Sequence, residues 1–211
     1  MPSTSALAQA RARLASTLPG IVVDPWPMPT AEALPRVRDL LGPCAVFFIG
    51  SSIGNYDEPD AVALLAAVRA VLAPGAALVL GTDLRKSPAV LVPAYDDRQG
   101  VTAAFNRNLL ARLNRELGAD FDVARFRHVA LWNPARSRVE MHLESVGAQQ
   151  VRLAPAAPAI DFADGERIHT ESSVKYDRAM VDRMLGAAGF ARTHTFTDSA
   201  ERFAVHVART T

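Results

Sequence analysis

The chain has 211 residues, of which 49% are hydrophobic and 21% charged, and its formal net charge is +1. This length favours one domain, or one domain with a sizeable insertion, and the scattered basic residues argue against a dedicated nucleic-acid surface. A single cysteine, Cys44, excludes an internal disulfide and is expected to be buried, and no membrane-spanning run or secretory signal is visible, so a cytoplasmic protein is expected.

The first part of the chain alternates predicted helices with short apolar strands. An amphipathic helix is predicted over residues 5–17, a short strand over residues 21–23 and a buried strand over residues 45–49. Asp57 is placed to cap the following helix, and residues 77–80 form another apolar strand pattern. This alternation favours an α/β fold with a doubly wound sheet.

The rest of the chain has a different pattern. Residues 101–117 carry apolar side chains at helical spacing, and Gly118 is a suitable cap. Residues 138–145 alternate apolar and polar side chains, which is typical of an antiparallel strand with one face in water, and residues 149–153 are its expected hairpin partner. The last predicted elements are an extended segment, a helix and two strands, at residues 166–175, 177–188, 191–197 and 203–208.

The most informative motif joins the first buried strand to the helix after it. The apolar run ends at a glycine-serine loop, residues 50–54, and the amide of Asn55 follows. In an open parallel sheet, ligands bind outside the carboxyl ends of the strands. We therefore expect backbone N–H groups of this loop and the Asn55 side chain to hold polar ligand groups; a purely structural loop is the alternative.

The same loop also matches G-x-S-x-G, the nucleophile elbow of serine hydrolases. In that alternative Ser52 is the nucleophile, and Asp198 and His206 follow it in an order suitable for acid and base. The elbow requires a helix directly after the serine, whereas several residues intervene here. The hydrolase is therefore a minor alternative.

A second dense polar run lies at residues 168–176. In an extended strand Glu171 and Ser173 share one face, and a carboxylate beside a hydroxyl can fix a planar ligand such as an imidazole. An exposed strand edge is the alternative. Tyr95 could donate its hydroxyl to a carboxylate or lie in a surface turn. No metal site is predicted, because His142 and Glu144 have no third ligand nearby and are expected on a solvated face.

Seven motifs occur in a recognisable order, namely GSSIGN (50–55), DLRK (83–86), AYDD (94–97), VTAAFN (101–106), NRELGADF (114–121), EMHL (140–143) and IHTE (168–171). Together they resemble the histidine-specific, S-adenosylmethionine-dependent Nα-methyltransferases of ergothioneine biosynthesis. The resemblance extends from about Ser5 to the C-terminus. It implies trimethylation of the α-amine of L-histidine to hercynine.

The resemblance also implies a fold and a division of the chain. The fold is an incomplete class I methyltransferase sheet, which is Rossmann-like, with an inserted α+β substrate-binding region. Residues 1–85 form the partial core, residues 86–175 the insertion, and residues 176–211 a helix and β-hairpin that complete the core.

Site residues follow from the same resemblance. It implies cofactor binding by Gly50 and Ser51, and substrate binding by Asn55, Tyr95, Met141, Glu171 and Ser173. Asn55 holds the polar backbone of the amino acid and Tyr95 its carboxylate. Met141 packs beside the ligand's side chain, and Glu171 and Ser173 bind the imidazole. No residue is implied as an acid–base catalyst, so Asn55 acts by positioning.

The departures from the family pattern concern the cofactor. The glycine-rich loop and the ribose-binding acid, which the family places before residue 5 of this sequence, are not seen. We therefore expect weak binding of S-adenosylmethionine and an exposed edge strand, and a complementary N-terminal chain is an expected partner. A catalytically inactive amino-acid-binding or partner-dependent module is the main alternative.

Overall fold

The computed structural model describes residues 4–38 and 44–211; residues 1–3 and 39–43, which belong to the first predicted unit, lie outside it. The helices in the described range are α1 (Thr4–Thr17), α2 (Thr30–Arg38), α3 (Glu58–Val71), α4 (Pro88–Tyr95), α5 (Val101–Leu117) and α6 (Arg178–Ala187). The strands are β1 (Ala45–Phe48), β2 (Ala77–Asp83), β3 (Phe126–Asn133), β4 (Arg138–Ser145), β5 (Gln149–Arg152), β6 (Ala159–Phe162), β7 (Arg167–Val174), β8 (Phe190–Thr197) and β9 (Phe203–Thr210). None of these helices has the length and apolar character needed to cross a bilayer.

Four strands form the main sheet, in the order β1-β2-β9-β8. β1 runs parallel to β2, whereas β9 pairs antiparallel with both β2 and β8. α3 and α6 bury apolar stripes in the core beside β2, with Leu65, Leu78 and Leu185 among the buried residues. This arrangement sets the carboxyl ends of β1 and β2 side by side.

The first strand is shorter and more exposed than its sequence predicts. β1 lies at the edge of the main sheet and pairs, within the described chain, with β2 alone. Phe47 is therefore 68% exposed and Ile49 57% exposed, although a buried strand was expected. Cys44, which precedes the strand, is half-buried rather than buried.

Three antiparallel strands form the second sheet, in the order β3-β4-β7. α5 covers one face of it, where Leu110 packs in a cluster with Phe126 and Leu143. Residues 149–153, predicted to pair with β4, contribute instead to β5, which pairs with β6, because β4 already has a neighbour on each edge. The predicted strand at residues 21–23 is irregular, and no described strand pairs with it.

The polar face of β4 is covered, although the alternation predicts a face in water. Glu140 and Glu144 are both buried. Arg167 and Arg127 bind the Glu144 carboxylate from the two neighbouring strands, and these hydrogen bonds hold the pKa of Glu144 below its usual range. Cross-strand arginines thus shield the Glu144 carboxylate, which sequence alternation assigns to solvent.

Asp57 caps α3 as predicted, since its carboxylate accepts a hydrogen bond from the Asp60 N–H at 3.3 Å. We expect Asp57→Ala to lower the free energy of unfolding by about 1 kcal/mol, because one N–H of the first helical turn loses its acceptor. Urea denaturation measures this change. Asp57→Ser, which retains a capping oxygen, should stay close to the wild type; equal losses in both variants would contradict the capping role.

Candidate functional site

A cleft of about 360 Å³ lies where the main sheet meets the second sheet. The carboxyl ends of β1 and β2 form one side of it, and the end of β7 forms the other. Its lining consists of Gly50, Ser51, Ser52, Asn55, Asp83, Tyr95, Glu171, Ser173, Lys175 and Phe203. Six of the seven residues predicted for the site therefore line one cavity, and Met141 is not among its lining residues.

The loop after β1 has a backbone that ordinary residues rarely adopt. Gly50 and Ser51 both have left-handed conformations, with φ of 76° and 58°. At Ser51 this costs free energy, and such strain is concentrated at functional sites. The Ser51 hydroxyl accepts a hydrogen bond from the Asp83 N–H at 2.8 Å, which fixes the loop against the end of β2.

The turn that carries Asn55 lies directly against β7. A Cβ atom on Gly54 would be 2.9 Å from the carbonyl oxygen of Val174, so only glycine permits this approach. The Tyr176 hydroxyl also donates to the Ile53 carbonyl at 3.2 Å. These contacts hold Asn55 on the same cleft as the side chains at the end of β7.

The polar groups of the cleft meet at Lys175, which sequence reasoning missed. Its side chain is 1% exposed. The ammonium donates to Asp83 Oδ2 at 2.8 Å, to Tyr95 Oη at 2.6 Å and to Ser173 Oγ at 2.8 Å. The sequence could have indicated Lys175, because Glu171, Ser173 and Lys175 are spaced two residues apart, and that spacing places extended residues on one face.

Tyr95 is positioned by a series of buried, hydrogen-bonded side chains. It ends α4, and its carbonyl accepts a hydrogen bond from His128 Nε2 at 2.8 Å. The other ring nitrogen, Nδ1, accepts from the Asn106 amide at 3.0 Å. Asn106 is buried and also donates to the His142 carbonyl at 3.1 Å. α5 and β3 thus position Tyr95.

Two other predicted groups remain open to a ligand. In the described chain no side chain or backbone group bonds to the Asn55 amide or the Glu171 carboxylate, and both face the cleft. Met141 is buried and is the cross-strand partner of Glu171 in the β4–β7 pair. It lies beside the site residue on the neighbouring strand without lining the cavity.

The hydrolase alternative is wrong for this structure. The Ser52 hydroxyl donates to the carbonyl of Ile49 at 3.4 Å, and in the described chain it has no histidine partner. His206 instead binds the hydroxyls of Thr82 and Thr195. Asp198 accepts three backbone N–H groups of its own turn, from Ala200, Arg202 and Phe203. The three residues do not form a triad.

His142 does have further potential metal ligands nearby, contrary to the sequence prediction. A bulge between β4 and β7 places His169 opposite His142, and ligand atoms of Glu140, His142 and His169 lie within 4.8 Å of one another. The two rings are stacked, and Arg138 already binds the Glu140 carboxylate at 2.7 Å. Burial lowers the pKa of His142, although the hydrogen bond to Glu140 acts in the opposite direction.

Comparison with known proteins decides the family. A family model described as histidine-specific methyltransferase, SAM-dependent, matches residues 3–210. The chain belongs to this family. The histidine N-alpha-methyltransferase of Mycolicibacterium smegmatis is 44% identical over 202 residues, and that of Mycobacterium tuberculosis is 48% identical over 161 residues. The chain is thus similar to two mycobacterial members of the histidine-specific methyltransferase family.

The match covers unequal shares of the proteins compared. The Mycolicibacterium alignment includes 96% of this chain and 63% of the relative, and the Mycobacterium tuberculosis alignment 76% and 50%. The chain therefore spans about half to two thirds of the length of these relatives.

A solved structure supports the fold of this histidine-specific methyltransferase family member. The CcbJ methyltransferase from Streptomyces caelestis aligns with a TM-score of 0.50 over 100% of this chain and 78% of its own, at 16% identity. At that identity the likeness concerns the fold alone. The predicted class I methyltransferase fold is confirmed.

Proposed function

We propose that this chain binds L-histidine in the cleft and takes part in trimethylation of its α-amine to hercynine, a step of ergothioneine biosynthesis. One observation carries the proposal: in a member of the histidine-specific family, a carboxylate, two hydroxyls and an amide converge on one cavity, and they belong to Glu171, Tyr95, Ser173 and Asn55. These groups match the polar atoms of a small zwitterion with an imidazole ring.

We assign the two ends of the ligand to different groups of the cleft. Glu171 and Ser173, adjacent on one face of β7, bind the two imidazole nitrogens. The Tyr95 hydroxyl, which the resemblance assigns to the carboxylate, donates instead to Ser173 at 2.8 Å and so orients Ser173. We assign the amino group to Asn55, which lines the same cleft. Met141 supports the imidazole end from the neighbouring strand through its pairing with Glu171.

Methyl transfer to an amine requires positioning more than acid–base catalysis. S-adenosylmethionine, when bound, supplies an already activated methyl group. The residues of this chain must present a neutral amine in line with that group. An amide such as that of Asn55 suits this task, because a carboxylate beside the amine would favour its protonated form.

The loop at Gly50 and Ser51 is the part of the described chain that fits the cofactor. Its backbone is left-handed at both residues, and a Cβ atom on Gly50 would meet no atom closer than 3.9 Å. The space beside the backbone is thus open to a ligand. Because these are the two residues we assign to the cofactor, we propose that this chain retains L-histidine binding better than S-adenosylmethionine binding.

Isothermal titration calorimetry of the full chain with L-histidine, with and without S-adenosylmethionine, tests the proposal. We expect saturable L-histidine binding, and at least about tenfold weaker binding in Glu171→Ala, because a charged hydrogen bond to the ring is lost. Glu201→Ala, at an exposed turn, is the matched control and should bind as the wild type does. Equal indifference of the wild type to histidine and to the cofactor would overturn the proposal.

A second proposed function is a binding module that holds L-histidine and depends on a complementary chain for catalysis. It is favoured because most of the site residues we assign bind the amino acid and only Gly50 and Ser51 are assigned to the cofactor. Mass spectrometry for methylated histidine separates the two. Saturable histidine binding without methylated product supports the module, whereas product formation by this chain alone supports the complete enzyme.

A further inference from the structure

Lys175 uses all its hydrogens inside the cleft. An ammonium has three N–H donors and no acceptor. These three donors meet Asp83, Tyr95 and Ser173 at 2.6–2.8 Å. The ammonium therefore has no hydrogen left to donate to a ligand, and Lys175 affects hydrogen bonding to the ligand only through its neighbours.

Those contacts restrict what the two hydroxyls can do. Each hydroxyl has one hydrogen and two lone pairs, and Lys175 occupies a lone pair on each. The Tyr95 phenol, the more acidic of the two, donates to Ser173 Oγ at 2.8 Å. Both lone pairs of Ser173 are then used, and its own hydrogen is the one that remains for a ligand.

We propose that Lys175 is a positioning residue that fixes Ser173 as a hydrogen-bond donor, so that the cleft accepts a neutral imidazole and rejects an imidazolium. This inference rests on the proposed function. Ser173 offers a hydrogen, and Glu171 on the same strand face offers an acceptor. A neutral imidazole has one bare nitrogen and one N–H, which match this pair. An imidazolium has two N–H groups, and its second N–H would meet the Ser173 hydrogen.

The charges around Ser173 come from three segments. Glu171 lies in β7 and Lys175 follows directly after it, Tyr95 ends α4, and Asp83 ends β2. Lys86 also pairs with Asp83, so this carboxylate is shared between two ammonium groups. Glu171 attracts a cation, whereas Lys175 repels one. Together with Tyr95, Lys175 also occupies the lone pairs of Ser173 that an imidazolium N–H would need as acceptor. The direction of the Ser173 hydrogen therefore decides between the two ring forms.

The wild-type chain provides the first test, by calorimetry at about pH 7.5 and about pH 5.5. L-histidine should bind about tenfold more weakly at the lower pH, because its ring has an ordinary pKa near 6.5. L-triazolylalanine, whose ring stays neutral at both values, should bind equally at both. Equal L-histidine affinity at the two pH values would overturn the inference, as would parallel losses for both ligands.

Lys175→Met and Lys86→Met form a matched pair for the second test, since both lysines bind Asp83 but only Lys175 binds the hydroxyls. Lys175→Met should weaken L-histidine binding about tenfold at pH 7.5, because the hydroxyls lose their fixed orientation. Acidification to about pH 5.5 should weaken L-histidine binding by Lys175→Met less than about threefold, since Ser173 is then free to accept a hydrogen from the imidazolium. Lys86→Met should keep the wild-type pH dependence; a wild-type pH dependence in Lys175→Met would contradict the proposal.

The outcomes separate this inference from the proposed function. No L-histidine binding by the wild type at pH 7.5 defeats both. Binding that does not change with pH defeats the inference alone. If Lys175→Met fails to fold, as judged by circular dichroism, the wild-type comparison of L-histidine with L-triazolylalanine decides.

Discussion

Gly54→Ala is expected to lower the free energy of unfolding by about 1–3 kcal/mol and to weaken L-histidine binding, because the added methyl group overpacks a close backbone contact. The new Cβ would lie 2.9 Å from the Val174 carbonyl oxygen and 3.3 Å from its nitrogen. Neither atom is the end of a flexible side chain, so the turn that carries Asn55 must move away from β7. Urea denaturation and calorimetry measure the two effects.

Gly186→Ala is the matched control for that substitution. Gly186 lies inside α6, and a Cβ atom there would meet no atom within 4 Å. Alanine should raise stability by about 0.5–1 kcal/mol at such a helical site, with histidine affinity unchanged. Wild-type stability and affinity in Gly54→Ala would show that the close contact does not hold the cleft together.

Acidification is expected to destabilise the protein through His206. Burial, with Arg192 nearby, lowers the pKa of this histidine to about 4, and its ring nitrogens bind Thr82 and Thr195. In the unfolded chain the pKa returns to about 6.5. Between these values the unfolded chain takes up a proton that the folded protein excludes, so stability falls as the pH falls from about 6.5 to 4. The full effect is up to about 3 kcal/mol.

Urea denaturation at about pH 7 and about pH 4.5 measures this contribution by comparison of variants. His206→Gln removes the titrating ring, so its loss of stability on acidification should be smaller than that of the wild type by about 2–3 kcal/mol. Carboxylates such as Asp182, whose pKa Arg192 lowers, contribute to both proteins and cancel. His194→Gln, at an exposed site, should lose as much stability on acidification as the wild type does. Identical pH dependence of wild type and His206→Gln would refute the role of His206.

The sequence predicted those parts of the fold that depend on neighbouring residues. The cap at Asp57 and the end of α5 at Gly118 arise from local backbone geometry, and both appear where expected. Strand pairing depends on distant residues, which explains the error at residues 149–153. The face of β4 was misjudged for a similar reason, since the arginines that cover Glu144 come from other strands.

The residues of the candidate site also differ in how far the local sequence predicts them. Glu171 and Ser173 share a strand face, so their proximity follows from a two-residue period. Family resemblance predicted that Asn55 and Tyr95 lie in the same site as that face, and in the structure both residues line the same cleft as Glu171 and Ser173. Lys175 was missed because a lysine in a polar run is ordinarily exposed, and its burial depends on Asp83 of the other sheet.

The hydrogen bonds that close the cleft also bear on how the chain folds. Tyr95 lies 78 residues before Ser173 and 80 before Lys175, whereas the β3–β4 and β8–β9 hairpins join segments that follow each other directly. Loop-closure entropy favours early formation of hairpins and delays contacts between remote segments. We therefore expect the cleft to be completed late in the folding reaction, after the two sheets have docked, so that only the docked chain can hold its ligand.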